Sequence, residues 1–169
     1  MVPASGTTQV GPPPFRFEPR VPGGLRAPAF SRTFRLIATA IVAGSAWWMF
    51  QLWQSGKLAP AGSDAVVALG WPLAALALMA YTWWHIQTST TRLTAEGLHQ
   101  TWIWDKKMEL RELAYGKLFR VRGLEWLIAP RLYVRTLLGK FAVFYTADRE
   151  MLAEFERLIQ ELQAFRGFR

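Results

Sequence analysis

The sequence predicts a membrane-anchored α+β protein: a two-helix transmembrane hairpin, then a small antiparallel β domain closed by a C-terminal helix. Three observations carry this. Two apolar stretches, Phe34 to Trp53 and Ala65 to Ile86, are each about as long as a bilayer-crossing helix. Between Thr88 and Tyr145, short β-branched and aromatic runs alternate with turn residues. From Met151 to Phe165, apolar residues recur at helical spacing. The chain divides into a flexible tail over 1–31, a hairpin over 32–87 and a soluble domain over 88–169.

The tail holds seven of the ten prolines before residue 31 and few good helix formers. It reads as an extended cytoplasmic leader. The Pro12-Pro13-Pro14 run has the form that polyproline-binding grooves accept. The tail is not a standard secretory signal, because the apolar run begins late and is too long.

The first span carries one charge, Arg35, near its start, and the second carries none. Small residues in both let helix backbones approach closely, where lipid offers no hydrophobic drive for association. Ala40 and Gly44 form a small-xxx-small pair, and Ala68 and Ala75 lie on a small-residue row of the second span. Trp53, Trp83 and Trp84 suit the headgroup belt. Trp47, Trp48 and Trp71 would sit deeper, as candidates for packing against another helix or subunit. Pro72 kinks the second helix or marks its first turn. No acidic residue or lysine lies deep in either span, which argues against an ion or proton pathway.

Charge sets the orientation. The first 35 residues carry five arginines against Glu18, and the last 83 carry fourteen basic and ten acidic side chains. Positive flanks stay on the cytoplasmic side. The prediction is a multi-pass protein of the bacterial inner membrane, both termini cytoplasmic and Gly56 to Ser63 outside. Membrane topology accounts for much of the net charge of +8, so nucleic acid is not an expected partner.

The soluble part reads as five to seven short strands. Thr88 to Leu93 and Leu98 to Trp104 flank the turn Ala95-Glu96-Gly97, and Met108 to Leu113 alternates apolar and charged residues. Leu118 to Val121 is a further short candidate. Leu132 to Thr136 alternates again, and Phe141 to Tyr145 is the strongest buried strand. In the last helix, Met151, Leu152, Phe155, Leu158, Ile159, Leu162 and Phe165 make one apolar stripe. Thr146 or Asp148 can cap its start and Gly167 its end. Such a helix covers the apolar face of a sheet.

The run Thr91-Arg92-Leu93-Thr94-Ala95-Glu96-Gly97-Leu98, directly after the second span, resembles the bacterial pleckstrin-homology-like (PH-like) domain family of membrane proteins. The likeness covers about residues 88 to 165, and Leu137-Leu138-Gly139-Lys140 is similar to a further element of that family. It implies a PH-like antiparallel β-barrel plugged by the final helix, and a scaffolding or assembly role. It implies no phosphoinositide site, since the basic motif of the eukaryotic domain has no match here.

Chemistry-bearing groups are few. There is no cysteine, which excludes disulfides and thiolate sites. His85, near the exit of the second span, has no second axial ligand for a haem. His99 has Asp105 and Glu109 nearby in sequence as possible acid–base partners. No zinc-protease, phosphate-loop or serine-elbow motif occurs. The expectation is a non-enzyme without metal or cofactor: an accessory or assembly subunit of an inner-membrane complex, bound to integral membrane proteins or to itself. Trp104 and Phe119 are the candidate soluble interface, while Trp102 and Trp126 are expected in the core. The alternative is recognition of anionic lipid headgroups by Lys106, Lys107, Arg131, Arg135 and Lys140.

Overall fold

The computed structural model describes residues 14–57, 65–121 and 123–167, with side chains in the second helix from residue 69 onward. Pro12, Pro13 and most of the connection between the helices lie outside the described residues. The element order is β1 (Leu25–Pro28), α1 (Arg32–Gln54), α2 (Ala65–Thr88), β2 (Thr90–Leu93), β3 (Gly97–Gln100), β4 (Lys106–Glu109), β5 (Leu113–Phe119), β6 (Arg131–Thr136), β7 (Phe141–Tyr145) and α3 (Arg149–Arg166). A single 3-10 turn, Leu110–Glu112, links β4 to β5.

The expected barrel does not form. The strands make two antiparallel sheets, ordered β1-β2-β3-β4 and β5-β6-β7. Side chains, not ladder hydrogen bonds, bridge the seam between them. Gln100, fully buried, accepts the Tyr145 amide through Oε1 at 3.2 Å. Thr91 donates to the Tyr145 carbonyl, and Lys106 Nζ donates to the Val143 carbonyl at 3.3 Å. These polar groups occupy the place where closing strands would pair, and each bond satisfies a group that is costly to bury alone.

The transmembrane hairpin is also corrected. Among the described residues only α1 combines the length and apolarity to cross a membrane. The described side chains of α2 begin at Leu69, and Trp71, Pro72, Tyr81, Thr82, Trp83, Trp84, His85, Gln87 and Thr88 dilute the apolar run that remains. The two helices do pack antiparallel. Trp83 Nε1 donates to Thr39 Oγ1 at 2.8 Å, and Gln87 Nε2 donates to the Arg35 carbonyl at 3.1 Å. No residue of α1 is buried, and Leu36, Ile41, Trp47 and Phe50 lie outward.

The amino-terminal segment, expected as a flexible tail, supplies a strand and part of the core. β1 pairs with β2 from Leu25↔Leu93 to Pro28↔Thr90. An edge strand tolerates Pro28, which has no amide to donate. Phe15 and Phe17 are buried beside Phe155 and Leu158 of α3. Arg157 holds this segment in place: its guanidinium lies 4.6 Å over the Phe17 ring and donates to the Glu18 carbonyl and to buried Glu154. The sequence shows no periodicity here, because a four-residue edge strand and two isolated phenylalanines give none.

α3 follows the expected stripe. Met151, Phe155, Leu158, Ile159 and Leu162 are buried against both sheets. Asp148 caps it by accepting the Glu150 and Met151 amides, each at 3.0 Å, and Gly167 ends it in the left-handed conformation.

Two substitutions test this architecture in chemical denaturation. Phe17→Ala is expected to cost about 3–5 kcal/mol. A loss near zero would return the segment to a loose tail. Gly24, before β1, has φ +91, and a Cβ there would lie 2.4 Å from the Leu93 carbonyl oxygen. Gly24→Ala should therefore cost more than about 1 kcal/mol, and a neutral result would contradict the β1–β2 register.

Candidate functional site

Strand alternation places one feature that no single segment reveals. In the three-stranded sheet, Leu132, Val134, Thr136 and Phe144 point into the core. The opposite face then carries Tyr115, Lys117 and Phe119 from β5, Arg131, Tyr133 and Arg135 from β6, and Phe141, Val143 and Tyr145 from β7. The register sets them in rows: Tyr115–Arg135–Phe141, Lys117–Tyr133–Val143 and Phe119–Arg131–Tyr145. Five of the nine are aromatic, three are cationic and none is acidic. Tyr115, Phe119 and Phe141 are 46%, 51% and 59% exposed. Among the described residues α3 packs on the inner side of this sheet, and Phe30 and Lys106 cover only its Tyr145 end.

One row runs to the base of the helices. There Phe30, Phe34, Thr82, Ile86, Trp102, Lys106, Arg131 and Tyr145 line a cleft of about 340 Å³. Phe30 is its hub, with ring centroids 5.3 Å from Phe34, 5.2 Å from Trp102 and 5.9 Å from Tyr145. Lys106 Nζ and the Arg131 guanidinium lie 5.3 and 5.5 Å from the Tyr145 ring centroid. Burial holds the Lys106 ammonium below the ordinary lysine range. The Arg131 Nε is buried without a hydrogen-bond partner.

The cations singled out in the sequence fall in three places. Lys106 and Arg131 share the cleft. Lys107 and Lys140 sit around the corner with Asp105, where Lys140 Nζ donates to the Lys107 carbonyl at 3.4 Å. Arg135 stands apart, at the far row of the sheet face. Phe119 lies on that face, and Trp104, 76% exposed, lies on the turn after β3. Trp102 lines the cleft instead of the deep core. Trp126 is not core either: it is 57% exposed on the loop before β6, and Ser31 Oγ fastens that loop to the start of α1 through the Leu127 carbonyl.

The helix residues proposed for packing do not build the α1–α2 contact. Ala40, Gly44, Trp47 and Trp48 are exposed on α1, as are Trp71 and Ala75 on α2. A Cβ on Gly44 would touch nothing within 4 Å. Ala68 lies in α2 before the described side chains. The two helices are instead joined by hydrogen bonds from Trp83 and Gln87 of α2 to Thr39 and the Arg35 carbonyl of α1.

His99 lies between Arg92 and Lys107 in the strand register, with Nε2 3.4 Å from Asp105 Oδ2. No nucleophile stands beside this exposed pair, and Glu109 instead binds Arg111. Among the described residues no cluster of histidine and carboxylates has a metal-binding arrangement.

The aromatic hub was illegible because Phe30 sits in a proline-rich leader. The signal that could have found the sheet face is the joint alternation of Arg131–Thr136 and Phe141–Tyr145, once paired. Comparison of the chain with family models, curated proteins and solved structures gives no match, so the PH-like resemblance stands without support from any of them.

Proposed function

We propose that this chain is a non-catalytic accessory subunit of a bacterial inner-membrane complex, anchored through α1, with the outer face of β5–β7 as its docking surface for an integral membrane protein. The composition of that face supports this most strongly. Tyrosine, phenylalanine and arginine are the side chains that concentrate binding energy at interfaces. Three cations without an acid favour a partner with an acidic cytoplasmic surface. Pairing of this face with a second copy would set like charges together, so a different protein fits better than self-association. Arg16, Arg20, Arg26, Arg32 and Arg35 flank the start of α1 and favour the cytoplasmic side for the β domain. Outward Ala40, Gly44, Trp47 and Trp48 give α1 a surface suited to a neighbouring helix.

The test is extraction from native membranes in mild detergent, with quantitative mass spectrometry of what co-purifies. Wild-type protein should bring a stoichiometric set of membrane proteins. Tyr115→Ala and Arg135→Glu should each weaken retention by about 30-fold, the effect of losing about 2 kcal/mol at a hot spot, with an unchanged melting temperature. Equal retention by both variants would contradict the proposal.

A further inference from the structure

We propose that the cleft at the base of the helices binds one anionic phospholipid, its phosphate between Lys106 and Arg131 and an acyl chain along the α1–α2 groove. Two adjoining spaces of opposite chemistry carry this. The cleft ends in two cations above Tyr145. A second groove of about 370 Å³, lined by Ile37, Ala38, Ile41, Val42, Leu78 and Met79 among others, runs along the helix pair. Both spaces share Phe34, Thr82 and Ile86, so the groove and the cleft lie next to each other. A phospholipid has this same sequence of parts: an apolar tail, then a phosphate.

The cations are poised for an anion they do not have within the chain. Among the described residues, neither Lys106 nor Arg131 makes an ion pair. Lys106 uses one of its three protons on the Val143 carbonyl, and Arg131 has a buried Nε with no acceptor. Asp105, next in sequence, lines the neighbouring hollow, its Oδ2 3.4 Å from His99 Nε2. Partly buried, unpaired charge is unfavourable and is relieved by a counter-charge. The site's position supplies one. The cleft lies beside Phe34, in the first turn of the helix long and apolar enough to cross a membrane, where anionic headgroups would meet that helix.

The experiment uses the full chain, purified in detergent, exchanged against phosphatidylglycerol or phosphatidylcholine, and weighed by native mass spectrometry. One phosphatidylglycerol should remain bound where phosphatidylcholine washes away. Lys106→Met and Arg131→Met should each weaken retention about tenfold, the loss of one charge-assisted contact. Lys107→Met, outside the cleft, should leave it unchanged and serves as the control. Melting of each lipid-free variant separates lost binding from lost fold. If Arg131→Met unfolds, Ala38→Phe, which fills the groove and spares both cations, should weaken retention in its place. Equal retention of both lipids, or of phosphatidylglycerol by the folded variants, would overturn the proposal. Inorganic phosphate raising the melting temperature as much as the lipid would assign the site to a soluble anion and overturn it too. None of these outcomes depends on whether a protein partner docks on the sheet.

Discussion

The helix pair is inserted between two neighbouring strands, and the pairing of β1 with β2 is the constraint from which the rest follows. β1 ends at Pro28 and α1 begins at Arg32, while α2 ends at Thr88 and β2 begins at Thr90. Few residues separate sheet from helix on either side. The Ala29 amide donates to the Ser89 carbonyl, and the Ser89 amide to the His85 carbonyl, so the ladder runs into the helix ends without a gap. Short, hydrogen-bonded connections leave little freedom for the β domain to swing. Phe30 and Trp102 are brought together at this junction, and the cleft exists because they are.

The same constraint explains why the seam between the sheets is polar. β1 completes the first sheet on one edge, leaving β4 as the other. The first sheet meets β7 across the seam, where Thr91 of β2, Gln100 of β3 and Lys106 of β4 reach over with side chains. A lysine at an unpaired strand edge also discourages edge-to-edge association. Here it does so beside Arg131, so the edge that resists aggregation is also the basic wall of the cleft.

Much of the fold could be read from the chain, and what could not has physical causes. α3 was legible because a long amphipathic helix repeats its stripe over several turns, and Asp148 and Gly167 punctuate it. β6 and β7 were legible through alternation and aromatic content. β3 ended earlier than expected: Thr101 to Asp105 turn to set Trp102 against the helices, a tertiary preference that no local pattern records. The break between β4 and β5 was visible only as the slip in alternation at Leu113. β1 was missed because four residues on an edge need only their partner strand, not a pattern of their own. α2 reads as a membrane span on its full length, while its described side chains, from Leu69 on, are too mixed with aromatic and polar residues to give the same signal. At the candidate site, five cations were legible as basic residues but not as two pairs and a separate Arg135. That division depends on the register between strands, and on the buried or open setting of each side chain.

Hydrogen exchange on the full chain, reconstituted in a bilayer and read amide by amide, tests the coupling of sheet to helices most directly. The account predicts that the Ala29 amide and the β1 amides bonded to β2 exchange as slowly as their partners in β2. Slow exchange should resume in the first turn of α1 at Phe34 and Arg35, whose amides are bonded to Ser31. Exchange of β1 at the rate of an unstructured peptide, with β2 still protected, would show that the β1–β2 ladder does not hold the helices to the sheet.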